Sequence, residues 1–197
     1  MDFASPRALQ SKSDCAKTLT LALALLMSRS GELVGLLGDT KRGRSSAAID
    51  HMGERLSTPE SNPNGFENLA NQPFARHTFI TQISDFLEPL HEIEAVFQAL
   101  SSRTNNALII QTLDPDELDL PHQGRTLFED PRTHNQELIS NVCDIREAYR
   151  VRIEEHQEGL KSLCRLSGWH YIFHNTQTPL EDTLFKIQAL MSPEGMP

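Results

Sequence analysis

The sequence predicts an α/β fold: a mostly parallel sheet covered by helices on both faces, with a β-hairpin insertion near residues 116–140. Three observations point there. Short apolar runs recur at 32–38, 77–85, 107–113 and 169–174, the pattern of strands buried on both faces. Longer segments between them place apolar residues three and four apart, as amphipathic helices do. Strand, helix and strand then alternate from 77 to 113, the order of parallel strands joined by a crossover helix.

Each element has its own local reason. Residues 12–29 are predicted as a helix: Ser11 or Ser13 can cap it, Cys15, Leu19, Ala22, Leu23 and Leu26 share a face, and Gly31 ends it. Residues 32–38, Glu-Leu-Val-Gly-Leu-Leu-Gly, read as a strand buried on both faces. A basic turn at 39–44 leads to a helix capped by Ser45 or Ser46 and running to about Leu56. Residues 57–76 contain three prolines and Gly65 and read as a long irregular loop. A strand at 77–85 buries Phe79, Ile80 and Ile83, and a helix at 88–103 presents Leu90, Ile93, Val96, Phe97 and Leu100. Asn105-Asn106 turns into the strand 107–113. In the insertion, Glu117–Leu120 alternates, His122-Gln123-Gly124 turns, and Arg125–Glu129 returns, with a third short strand near Glu137–Ile139. Residues 141–167 form the longest helix, with His156 on its apolar face and Gly168 as its cap. A last strand covers 169–174, and a last helix runs from Thr178 to Pro193.

The chain has 197 residues and reads as one domain. Eighteen Lys+Arg against 27 Asp+Glu give a net charge of −9. That balance repels a phosphate backbone, so no nucleic-acid partner is expected. The longest apolar run, Leu19–Met27, is shorter than the roughly 17–25 residues of a bilayer span. No membrane span and no export signal is read, so the expected compartment is the cytoplasm. Cys15, Cys143 and Cys164 are widely spaced and read as free thiols.

Asp85 is the leading site candidate, because open α/β sheets place ligands at the carboxyl ends of their strands. The plainer alternative is a helix cap. Asp114, Asp116, Glu117 and Asp119 form an acidic cluster after another strand, where turn chemistry outweighs cation binding. The eight histidines form no metal-binding pair on a helix, and packed, hydrogen-bonded rings are expected. Asp39–Ser46 could bind an anion at a helix N-terminus, although a solvated basic turn is the simpler expectation and phosphate-loop spacing is absent.

Several stretches carry a resemblance to a known family. They are Gly35–Gly38, Ser84-Asp85-Phe86-Leu87, Leu113–Leu118, Phe128-Glu129-Asp130-Pro131, and Arg146-Glu147-Ala148-Tyr149 through Gly168-Trp169. In this order they resemble the bacterial domain-of-unknown-function family 58, a branch of the von Willebrand factor A-like fold. The resemblance implies a central first strand ending in Asp-x-Ser-x-Ser, whose oxygens hold a divalent cation with a distant Thr and Asp. A Met often follows that motif, and Met1 stands at its place here. The resemblance therefore implies a chain lacking its first central strand, with Mg2+ bound in a longer form. A rival alignment puts Asp2 on the motif, with Ala4 and Pro6 where the serines belong. In both, the cation site is degenerate, and Asp85 is the strong match.

Without the central strand, the strands at 32–38 and 77–85 would each lose a neighbour. Each buried backbone group left unpaired costs roughly 1–3 kcal/mol, against a domain stability of about 5–15 kcal/mol. Marginal stability or aggregation is the expectation unless the strands close up or another chain fills the gap.

The function expected from the resemblance is a non-enzymatic interaction module partnering a MoxR-type AAA+ ATPase in maturing or remodelling protein complexes. Its interaction face would comprise Ser84, Asp85, Phe86 and Asp114, with the 57–76 loop beside them. The alternative is a metal-dependent hydrolase or nucleotide-binding enzyme using Asp85 and the 113–119 acids. Against it stands the lack of a phosphate loop or nucleophile elbow in the sequence.

Overall fold

A computed structural model of the chain describes residues 4–58, 74–75, 78–104, 106–129 and 136–191. Three parallel strands form the sheet: β3 (Ile80–Ser84), β4 (Ala107–Leu113) and β7 (His170–Asn175), in the order β3-β4-β7. Ile80 pairs with Ala107 and Ser84 with Gln111, while Leu108 pairs with His170 and Leu113 with Asn175. All seven residues of β4 are buried, as expected of a central strand covered on both faces.

Successive β4 side chains point to opposite faces and divide the core in two. Ala107 and Ile109 meet Ile93, Val96, Phe97 and Leu100 of α3 (Leu90–Ser101) and Leu160 and Cys164 of α5 (Arg146–Leu166). Trp169 closes this side, its ring 4.8 Å from that of Phe97. Leu108 and Ile110 meet Leu19 and Leu23 of α1 (Lys12–Arg29) and Ile187 of α6 (Leu180–Met191). Helices thus cover both faces of the parallel sheet, as the sequence predicts. Ser11 caps α1, its hydroxyl accepting from the Asp14 N–H, and Gly168 follows α5 at φ +70°, a conformation that favours glycine.

Two expectations about the elements are corrected, and one about burial: Phe79, expected inside the strand at 77–85, precedes β3 and is exposed. The run at 32–38 is not a buried sheet strand. Only Val34–Gly35 (β1) is extended, paired antiparallel with Arg42–Gly43 (β2), and Leu33 and Leu37 are exposed. Gly38, at φ +84°, lets the chain turn back on itself, so pairing is local. The ribbon packs beside α1 and α2 (Ser46–Ser57).

The second correction concerns Glu117–Leu120, which is not a hairpin strand. Pro115–Asp119 forms a short helix, α4, because Asp114 and Glu117 build a capping box around Pro115. The hairpin instead pairs β5 (Thr126–Glu129) with β6 (Gln136–Ile139), placing it later in the 116–140 insertion. A single 3-10 turn, Val142–Asp144, then precedes α5. Most of the 57–76 loop, Asp130-Pro131 and Asp2 lie outside the described residues.

Candidate functional site at the strand ends

The carboxyl ends of β3 and β4 meet the N-terminal segment of the chain. Ser5 N–H donates to Asp114 Oδ2 at 2.8 Å, and Leu9 N–H donates to the Thr176 carbonyl at 2.8 Å. These two anchors carry residues 5–11 across the strand ends and set the first turn of α1 over them. Lys12, the first residue of α1, therefore points its ammonium into the site.

Lys12 Nζ lies 3.0 Å from Asp85 Oδ2 and 2.5 Å from Glu117 Oε1, and its side chain is only 3% exposed. Burial alone would lower the lysine pKa, but the charges and hydrogen bonds of Asp85 and Glu117 outweigh it and raise it above the ordinary value. Glu117 Oε2 accepts the Asp114 N–H at 2.9 Å, fixing the glutamate from its other side. Asp114 Oδ1 accepts the Asp116 N–H at 2.9 Å, so both oxygens of this fully buried carboxylate are used. Arg7 closes the outer rim, reaching Asp116 at 2.7 Å and Asp119 at 3.0 Å. These bonds raise its pKa further. Tyr149 of α5 donates its hydroxyl to the Glu117 carbonyl at 2.7 Å, and burial pushes that phenol up to about 12.

The sequence-predicted residues are therefore partly brought together. Asp85, Asp114, Asp116, Glu117 and Asp119 do gather around the strand ends. Of Ser84, Asp85, Phe86 and Asp114, expected as an interaction face, two are not surface residues. Phe86 is fully buried: at φ +48° the chain turns its ring into the core, edge-on to Phe97. Asp114 is buried by its capping role, leaving Ser84 and Asp85 partly exposed. The residues that sequence reasoning missed are Arg7 and Lys12. Their only local signal is a cation near the start of a helix, Arg7 before α1 and Lys12 as its first residue.

The Mg2+ that the resemblance implies does not fit these side chains. Asp85 faces an ammonium, Asp114 is spent on backbone N–H groups, and among the described residues no three His, Cys, Asp or Glu converge as metal ligands.

The other candidates resolve into structural roles. In the basic turn, Arg44 donates to the Gly31 carbonyl at the end of α1, and Asp39 accepts from His51 at 2.8 Å. The Lys41 N–H and His51 hold the Asp39 carboxyl below its usual range. His156 bonds to the Phe86 carbonyl and His174 to Thr183, as packed rings do, whereas His91 and His122 are exposed, against expectation. The cysteines are free; burial pushes Cys15 up to about 11 and Cys164 up to about 12, while Cys143 is exposed. No helix among the described residues is long and apolar enough to cross a membrane.

Residues 1–159 match the family described as protein of unknown function DUF58. The chain belongs to the DUF58 family. No curated protein and no solved structure shows a significant match. The match spans α1 through most of α5, so the strand-end site of this DUF58 chain, from Arg7 to Tyr149, lies within it.

Proposed function

We propose that this DUF58 domain is a non-enzymatic protein-interaction module that accepts an extended partner segment along the outer edge of β3. The observation that carries this proposal is the edge itself. Ile80 N–H bonds to the Asn106 carbonyl, so Ile80, Gln82 and Ser84 face β4 and the backbone groups of Thr81 and Ile83 point the other way. Among the described residues no strand pairs with those outward groups. An open strand edge is a template for main-chain hydrogen bonding, the basis of recognition by strand addition. The outer edge of β7 is also unpaired among the described residues. The β3 edge is preferred because Phe79 and Leu87, both substantially exposed, flank it, and because it ends at Ser84 and Asp85.

The von Willebrand factor A-like resemblance supports the same edge, since it implies a central strand beside β3. It also supports the partner, a MoxR-type AAA+ ATPase acting with this domain in maturing or remodelling protein complexes in the cytoplasm. The commitment of the site's carboxylates to Lys12, Arg7 and backbone N–H groups favours a structural use of these acids over acid–base chemistry.

Thr81→Pro tests the proposal. It removes an outward N–H while sparing the bonds to β4, and proline is tolerated on edge strands. The expected result is measurable binding of a MoxR-type ATPase from the same organism to the wild-type chain, lost in a Thr81→Pro variant that still melts cooperatively. Equal binding by both proteins would remove the β3 edge from the interface. No binding by the wild type would remove the ATPase.

A further inference from the structure

We infer that the Lys12 ammonium is the built-in cation of the strand-end site, standing between Asp85 and Glu117 in place of a divalent ion. Asp85 follows β3 and Glu117 lies in α4, so two separate elements each deliver one carboxylate to the same nitrogen. Both carboxylate side chains are 20% exposed, whereas the lysine is 3% exposed. Two acids this close together repel each other, and a positive charge between them lets sheet, helix and N-terminal segment close over both in their ionised form. A metal ion is one solution. The fold supplies another, because the bonds of Ser5 and Leu9 place the first turn of α1, and hence Lys12, over the strand ends.

An ammonium and a divalent ion differ in their demands. Mg2+ requires near-octahedral oxygen ligands and retains several waters. Lysine brings donors on a four-carbon stem, needs no water, and cannot leave. The site is therefore closed to ions for as long as α1 stays docked, and its acids work as an internal clasp between the start of the chain and the strand ends. This inference does not depend on the β3 edge or on the identity of any partner.

Thermal unfolding of the full chain, with and without millimolar Mg2+ or Mn2+, tests it. The wild-type Tm is expected to be unmoved by either ion. Lys12→Ala is expected to melt lower and to recover part of that loss when Mn2+ is added. Adding Asp85→Asn to Lys12→Ala should abolish the recovery. An ion-dependent rise of the wild-type Tm that Asp85→Asn removes would overturn the inference, as would a folded Lys12→Ala chain indifferent to both ions. Should Lys12→Ala not fold, acetylation of the wild-type chain decides. Lys12 is expected to stay unmodified when the exposed Lys41 and Lys186 are fully acetylated, and acetylation of Lys12 in step with them would refute the clasp.

Discussion

The Nε2 nitrogen of His156 meets the Phe86 carbonyl oxygen at 2.6 Å, joining the middle of α5 to the chain as it leaves β3. The carbonyl can only accept, so Nε2 carries the proton. Phe86 stands at φ +48° with its ring fully buried, and a bulky residue in that conformation needs support from its surroundings. The histidine supplies some of it.

His156→Leu should therefore destabilise the domain by roughly 1–3 kcal/mol, the cost of stranding a partly buried acceptor. His156→Gln, which can still present an N–H, should cost less. Urea unfolding of the three proteins checks the order. Equal stabilities would mean that the bond contributes nothing to holding Phe86.

Much of the sheet and its helices is legible in the sequence because local and tertiary preferences agree there. Ala107–Leu113 is apolar enough to be a central strand, and it is one. The first helix is capped by Ser11 and packs through Leu19 and Leu23 as its spacing requires. The failures have physical causes. Glu32–Gly38 has the composition of a buried strand, but its glycines, Gly35 and Gly38, allow a local ribbon, and composition alone does not separate the two. At 114–117 a capping box competed with an apparent alternation, and the helix cap with its proline was the stronger signal. The clasp was not legible. Lys12 lies 73 residues from Asp85 and 105 from Glu117, and nothing in local sequence encodes such a pairing.

His174 gives the domain an acid sensitivity. It is almost wholly buried in β7, with Nδ1 2.9 Å from the Thr183 hydroxyl. Burial, with Lys186 adding to it, lowers its pKa to about 4 from an ordinary 6.5. The unfolded chain therefore binds this proton at a higher pH than the folded one. The contribution is full above about pH 6.5, shrinks as pH falls through the window, and is gone below about pH 4, a loss on the order of 3 kcal/mol. His174→Gln should flatten this part of the stability profile between about pH 7 and pH 4.5. Parallel profiles for the two proteins, read from urea midpoints, would show that His174 titrates normally.

Asp114 is the hinge between α4 and the N-terminal segment, and two substitutions separate its two bonds. One oxygen accepts from Asp116 and caps α4; the other accepts from Ser5 and holds the segment across the strand ends. Asparagine keeps one acceptor oxygen and replaces the other with an NH2 group, which cannot accept the second N–H. Asparagine is as good a helix cap as aspartate, so Asp114→Asn should keep α4 and release Ser5. Hydrogen exchange of residues 4–11 should then quicken while that of 115–120 stays near wild type. Asp114→Ala removes both acceptors and should speed both segments, at a stability cost of about 2–6 kcal/mol for two stranded N–H groups. Loosening of residues 4–11 also frees the start of α1, so the Lys12 clasp should become accessible to acetylation in both variants. Unchanged exchange at residues 4–11 in Asp114→Asn would mean that the Leu9–Thr176 bond and the Arg7 ion pairs hold the segment in place without Ser5.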